Sequence, residues 1–278
     1  MRRYIIGIIG LMMSLALSAQ VTYTRADSLT ICKLLKQAPQ QASTLWFARQ
    51  FHGIPYVAHT LEVNNLEQLV VNTRELDCTT LVETVTALTL CVKQEKRQWT
   101  DYLQMLRTLR YRQGVLNGYT SRLHYFTDWI LDKQQMEFVE EIQQPNPPFT
   151  AVQRIDVDFM SQHPLYYKAL KADPALVPVI RQQEQALTGK TFRYIPKQEV
   201  KNTKLMRQTI KDGDIIAITC NKKGLEIAHL GFAVWQKDGL HLLNASQLHH
   251  KVVTEPMTLR QYLQKHKTHT GIRIIRIK

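Results

Sequence analysis

"LDCTTLVETVTALTLCVK", residues 76–93, carries the reading from which the fold follows. Leu81, Val85, Leu88 and Val92 recur at helical spacing and predict one helix from Cys78 to Lys93. Asp77 or Thr79 caps its start, because a short polar side chain there accepts otherwise unsatisfied N–H groups of the first turn. Cys78 therefore opens a helix. The free N–H groups and partial positive charge of a helix N-terminus favour thiolate over thiol, and the thiolate is the nucleophile. The same N–H groups can receive the oxyanion of an acyl-transfer intermediate. A cysteine on a helix also serves as a small buried hydrophobe. On this stretch alone both readings stand.

Before this segment, residues 27–51 carry helix-like apolar spacing interrupted at Pro39, and 51–62 read as a Gly/Pro-containing loop. Residues 66–73 read as a short strand or a turn of helix. After it, helices are expected at 99–110 and 121–133, the second opening with Ser121 as its cap. Residues 143–149 form a loop, 150–159 contain a strand, and 159–188 are short helices broken by Pro164, Pro174 and Pro178. The last third changes character. Residues 212–219, 226–235, 240–246 and 271–278 read as strands, with a helix at 258–266 before the last. Helices first and strands afterwards give an α+β class, a helical part at about 27–190 and a sheet part at about 191–278, within one domain over 20–278.

The strands place a partner for the thiol. Asp238-Gly239 is a strong hairpin signal. A two-residue turn there pairs Lys237 with Leu240 and, counting back, His229 with Leu248. Asn244 then shares a sheet face with His229, because side chains alternate along a strand. Its carboxamide can accept the imidazole N–H and complete a Cys–His–Asn set. A structural histidine and a turn-side asparagine are the alternative, and a three-residue turn breaks the parity.

Composition bounds the rest. The chain has 278 residues, 44% hydrophobic and 21% charged, an ordinary globular balance. Its net charge of +13 arises without a Lys/Arg run or a nucleic-acid motif, so a solvated basic surface is expected and no nucleic acid. "MRRYIIGIIGLMMSLALSAQ" has two arginines, a short apolar stretch and then small residues, the layout of a secretory signal peptide over 1–19. The mature protein is expected to be exported, with no stable membrane insertion. The four cysteines are Cys32, Cys78, Cys91 and Cys220. Cys78 and Cys91 would lie about 20 Å apart along one helix and cannot bridge, which leaves Cys32–Cys220 open. No Cys-x-x-Cys or His-Glu-x-x-His spacing occurs, and neither a metal nor another cofactor is expected.

In this order "GIPYVAHTLE" (53–62), "LDCTTLVE" (76–83), "DGDIIAIT" (212–219), "AHLGF" (228–232) and "LLNAS" (242–246) resemble the NlpC-type branch of the papain-like cysteine amidases and peptidases. "RYRQGVLNGYTSRLHYFTDWI" (110–130) and "YIPK" (194–197) resemble, more closely, the bacterial N-acetylmuramoyl-L-alanine amidase-like family. The likeness spans about residues 28–278. It implies a papain-like cysteine hydrolase core, with Cys78 as nucleophile, His229 as general base and acid, and Asn244 at the third, orienting position, where His249 and His250 are nearby alternatives. Tyr56 resembles the superfamily tyrosine that lines the site and donates to the oxyanion. Asp77 orients the nucleophile turn. Ser121, Arg122, His124 and Tyr125 form one wall of a muropeptide cleft, with Arg122 on a carboxylate. On that reading Arg122→Ala raises KM more than it perturbs folding.

The resemblance also implies periplasmic turnover of cell-wall muropeptides, cut between N-acetylmuramic acid and L-alanine. A stem-peptide endopeptidase is the nearer alternative, and a non-catalytic muropeptide-binding protein the other. Oligomeric state is not legible.

Overall fold

The computed structural model describes residues 21–278, so the expected signal peptide lies outside the described residues. Helices α1 (Arg25–Gln37), α2 (Thr44–Arg49), α3 (Cys78–Lys93), α4 (Trp99–Arg110) and α5 (Phe126–Gln135) make up most of the first half. Residues 159–187 add three more, α6 (Phe159–Gln162), α7 (Lys168–Ala172) and α8 (Leu176–Leu187). A short pair of parallel strands, β1 (Val21–Thr22) and β2 (Leu69–Val70), lies apart from the main sheet.

The main sheet has eight strands. They are β3 (Val139–Ile142), β4 (Ala151–Arg154), β5 (Thr191–Pro196), β6 (Ile215–Cys220), β7 (Ile227–Trp235), β8 (Leu240–Ser246), β9 (Lys251–Thr254) and β10 (His269–Ile277). Their order is β4-β5-β10-β6-β7-β8-β9, with β3 also on β10, and every pairing is antiparallel. Helices α9 (Lys204–Thr209) and α10 (Leu259–Lys265) complete the chain. The class is α+β, helices packed on an antiparallel sheet.

Alternation along the strands sorts the core. Ile215, Ala217, Phe232, Val234, Leu243 and Ala245 join one apolar cluster with Leu81, Val85 and Leu88 of α3. Ile216, Ile218, Ala233, Leu240 and Leu242 join another with Leu259 and Leu263 of α10. Both sheet faces are therefore covered. Helix α3 is buried all round between the sheet, α1 and α4, beyond its one apolar stripe. The buried Glu83 it carries is paired at 2.7 Å with Arg110, whose guanidinium also donates to Val70 O at 2.6 Å. A buried charge is tolerated only when paired this way.

Two expectations are corrected, and one open question is answered. The helix expected at 121–133 starts at Phe126, and Ser121 is not its cap: its hydroxyl donates to Gly118 O at 2.7 Å and accepts from Asn117 N at 2.9 Å. The sheet is not confined to 191–278, since β3 and β4 reach it from the helical part. "VEEI" hid β3, because an inward glutamate is unexpected until its partner is known. Glu141 is buried there against the buried Arg273 of β10, with contacts of 2.5 and 3.1 Å. All four cysteines are free thiols, so Cys32 and Cys220 are not bridged.

The hairpin turn also differs. Trp235 pairs with Leu240, and Gln236 N–H donates to Gly239 O at 2.8 Å, so Lys237-Asp238 is the two-residue loop. Moving the turn by one residue shifts the register by two. Parity survives, and Asn244 stays on the face of His229.

Candidate active site

Asp77 is the cap of α3. Its carboxylate accepts Thr80 N–H at 2.8 Å, and Thr80 Oγ1 accepts Asp77 N–H at 2.9 Å. This reciprocal box fixes the turn and leaves the N–H groups of Cys78 and Thr79, the first two of the helix, without intrahelical partners. Cys78 is half-buried at the end of a 16-residue helix, where the macrodipole is positive.

His229 stands beside the Cys78 thiol on the wall of one cleft. Its Nε2 is 2.8 Å from Asn244 Oδ1, so the ring nitrogen left for sulfur is Nδ1. Burial disfavours the charged imidazole. Cys78, Asn244 and Glu255 outweigh it and hold the His229 pKa above the ordinary 6.5. Gly231 lies between His229 and Ala233 on this face, and a Cβ there would meet Leu242 Cδ1 and Leu243 O, each at 2.7 Å. Only glycine lets β8 approach closely enough for Asn244 to reach the ring.

Asn244 is fully buried and does not end the chain of contacts. Its Nδ2 donates to Glu255 Oε1 at 3.0 Å, and Glu255 Oε2 lies 3.0 Å from His249 Nε2. Of the alternatives for the third position, His249 therefore sits on Glu255, away from His229. His250 offers its carbonyl, which accepts Tyr56 N–H at 3.0 Å. That bond and Val57 N–H to Leu76 O at 3.2 Å bring the Tyr56 loop beside the nucleophile turn. Burial, then the proximity of Cys78 and Asp77, raises the Tyr56 pKa, so the phenol stays a donor.

A cleft of about 250 Å³ opens on this centre, and Cys78, Thr79, His124, Tyr125, Glu226 and His229 contribute to its walls. Burial, and then Arg122, pushes the His124 pKa down to about 3, so the ring is neutral. Its Nε2 lies 3.0 Å from Tyr119 O and must donate there, which leaves Nδ1 as an acceptor. The Tyr125 hydroxyl is already used: it donates to Glu184 Oε1 at 2.7 Å and accepts Met160 N–H at 3.1 Å.

Ser121 and Arg122 do not line the cleft. Arg122 is 6% exposed and paired with Glu62 at 2.7 Å and Glu67 at 3.2 Å. Its Nη2 contacts both carboxylates, so the buried guanidinium is held within this chain rather than offered to a ligand. Sequence reasoning missed Glu226, whose Oε1 accepts Thr127 N–H at 2.9 Å, and Glu255. No signal marked either: a glutamate just outside an apolar strand reads as solvent-facing until its depth is known. Among the described residues no group of three or more His, Cys, Asp or Glu side chains is arranged to hold a metal, and no helix is long and apolar enough to cross a membrane.

A helix-borne thiol facing an imidazole and a carboxamide on an antiparallel sheet is an arrangement found in amide hydrolases, and the comparisons agree on that class. The model of the AmiA-like family, described as N-acetylmuramoyl-L-alanine amidase-like, matches residues 46–272, and the chain belongs to this family. An N-acetylmuramoyl-L-alanine amidase from Bacteroides uniformis is similar, at 40% identity and a TM-score of 0.79 over 86% of this chain and 99% of that one. A Bacteroides fragilis protein provisionally named a xylanase is similar at 40% identity and a TM-score of 0.77, over 83% and 99% of the two chains. A Legionella pneumophila protein at 21% identity and a TM-score of 0.69, over 95% and 96%, shares the fold. No curated protein matches.

Proposed function

We propose that this chain is an exported, periplasmic cysteine amidase of the papain-like NlpC type, cutting muropeptides between N-acetylmuramic acid and L-alanine. The observation that carries the reading is the meeting of Cys78 and His229 on the wall of one cleft, with His229 Nε2 2.8 Å from the Oδ1 of the buried Asn244. The family match supports the bond and the substrate class.

The Cys78 thiolate attacks the lactyl carbonyl of the muramic acid. The N–H groups of Cys78 and Thr79 and the Tyr56 hydroxyl donate to the oxyanion. His229, protonated, gives its proton to the nitrogen of L-alanine as the C–N bond breaks. Water then attacks the thioester, His229 takes its proton, and the thiolate leaves. Asn244 keeps the ring aligned throughout. The wall at His124 presents an acceptor, Nδ1, which suits the hydroxyl and amide donors of a small soluble muropeptide, anhydro-sugar turnover fragments included. Glycosidic cleavage is disfavoured: it needs two carboxyl groups across the bond, and among the described residues the cleft wall holds one, Glu226.

Digestion of a defined disaccharide-peptide, read by mass spectrometry, tests the bond. Free disaccharide and a peptide beginning with L-alanine are expected. A sugar still bearing L-alanine would place the cut inside the stem peptide instead.

A further inference from the structure

We propose that Glu255 is a positioning residue for the reaction: through Asn244 it fixes which nitrogen of His229 faces the Cys78 thiol, and it supplies the negative charge that an asparagine lacks. The inference rests on the cysteine mechanism proposed above.

The geometry is a diagonal line across one sheet face. Val253 pairs with Asn244, and Glu255 N–H donates to Leu242 O at 2.8 Å, so Glu255 falls one step along the same face. Its side chain is fully buried. An ionised carboxylate only accepts hydrogen bonds, so the Asn244 group facing Oε1 at 3.0 Å must be the NH2. The carboxamide then has no freedom to flip. Its oxygen must face His229, Nε2 must carry the proton, and Nδ1 must present its lone pair to sulfur. One buried carboxylate thus decides a tautomer two residues away. Glu255 is itself held in place: its backbone O accepts from His241 Nδ1 at 2.9 Å, and its carboxylate Oε2 accepts from His249 Nε2 at 3.0 Å.

The charge has a use as well. Asn244 orients an imidazole but does not stabilise an imidazolium. Glu255 does so from behind it, and it is among the groups that raise the His229 pKa. The other groups around His229 are Cys78 from α3, Tyr262 of α10, and the neighbouring His266 and His269. His269 is held neutral, its pKa pushed down to about 4 by burial and then by His266. Glu255 is the negative group in that ring besides the thiolate.

The test uses 15N-histidine NMR of the full-length mature protein without substrate, so its outcome is independent of the scissile bond. Neutral His229 should carry its proton on Nε2, and a proton on Nδ1 overturns the proposal even if no variant folds. In Glu255→Gln the shape is kept and the charge removed. The His229 titration midpoint should fall by about one pH unit. With muropeptide, kcat should fall roughly 10–100-fold with KM nearly unchanged. A wild-type midpoint and kcat in Glu255→Gln would sink the proposal. Wild-type protein that leaves muropeptides uncut would sink the functional reading instead, while the NMR result still stands or falls alone.

Discussion

At the scale of single residues, burial and position separate four chemically identical thiols. Cys91 is fully buried, and burial pushes its pKa up to about 12; burial also raises that of Cys220. Cys32 is exposed, and Cys78 alone faces an imidazole at a helix N-terminus. Iodoacetamide on the native protein should therefore label Cys78 and Cys32 and spare Cys91 and Cys220. Peptide mapping that finds Cys91 modified before unfolding would contradict the burial argument. Asp77→Ala removes the cap of α3 and should cost about 1 kcal/mol in denaturant unfolding. It should also slow Cys78 alkylation, because the nucleophile turn loses its anchor. His229 gives a pH dependence of definite sign. Its pKa is raised above 6.5, so its charged form stabilises the fold fully below pH 6.5, and this contribution is lost as pH rises through the raised value. The alkaline limb of kcat should likewise lie above pH 6.5, and a limb below it would mean that His229 is not the general acid.

At the scale of elements, what was legible depended on how far apart the partners lie in the chain. Helix α3 was readable from residues 76–93 because its cap, periodicity and opening thiol are local. The His229–Asn244 face was readable because strand parity crosses a short hairpin, even with the turn misplaced by one residue. Glu255 was not readable: the β8–β9 connection at 247–250 gives no loop length from sequence, and with it no register. Arg122 shows the same limit. Its partners Glu62 and Glu67 are 60 and 55 residues away, so a binding arginine and a structural one look alike in the sequence. The geometry reverses the expected outcome of its removal. Arg122→Ala leaves two carboxylates without their cation and should cost roughly 3–5 kcal/mol of stability. Chemical denaturation measures it. A stable variant with KM raised severalfold would restore Arg122 to substrate binding.

At the scale of the molecule, the α+β class and the order of its halves followed from where helical periodicity gives way to alternation near residue 212. The place of β3 in the sheet did not, because an inward Glu141 is acceptable only beside a distant Arg273. The assembled fold puts the Cys78 thiol on a buried helix and the His229 imidazole on a sheet strand, so the proposed site depends on their docking and not on any one segment. The central claim is that Cys78 attacks the muramoyl–L-alanine amide. Wild-type protein and Cys78→Ala, digested side by side against one defined muropeptide and followed by mass spectrometry, test it most directly. The account predicts free sugar lacking L-alanine from the wild type and a loss of at least ~10⁴-fold in rate from the variant. Hydrolysis by Cys78→Ala at the wild-type rate would contradict it.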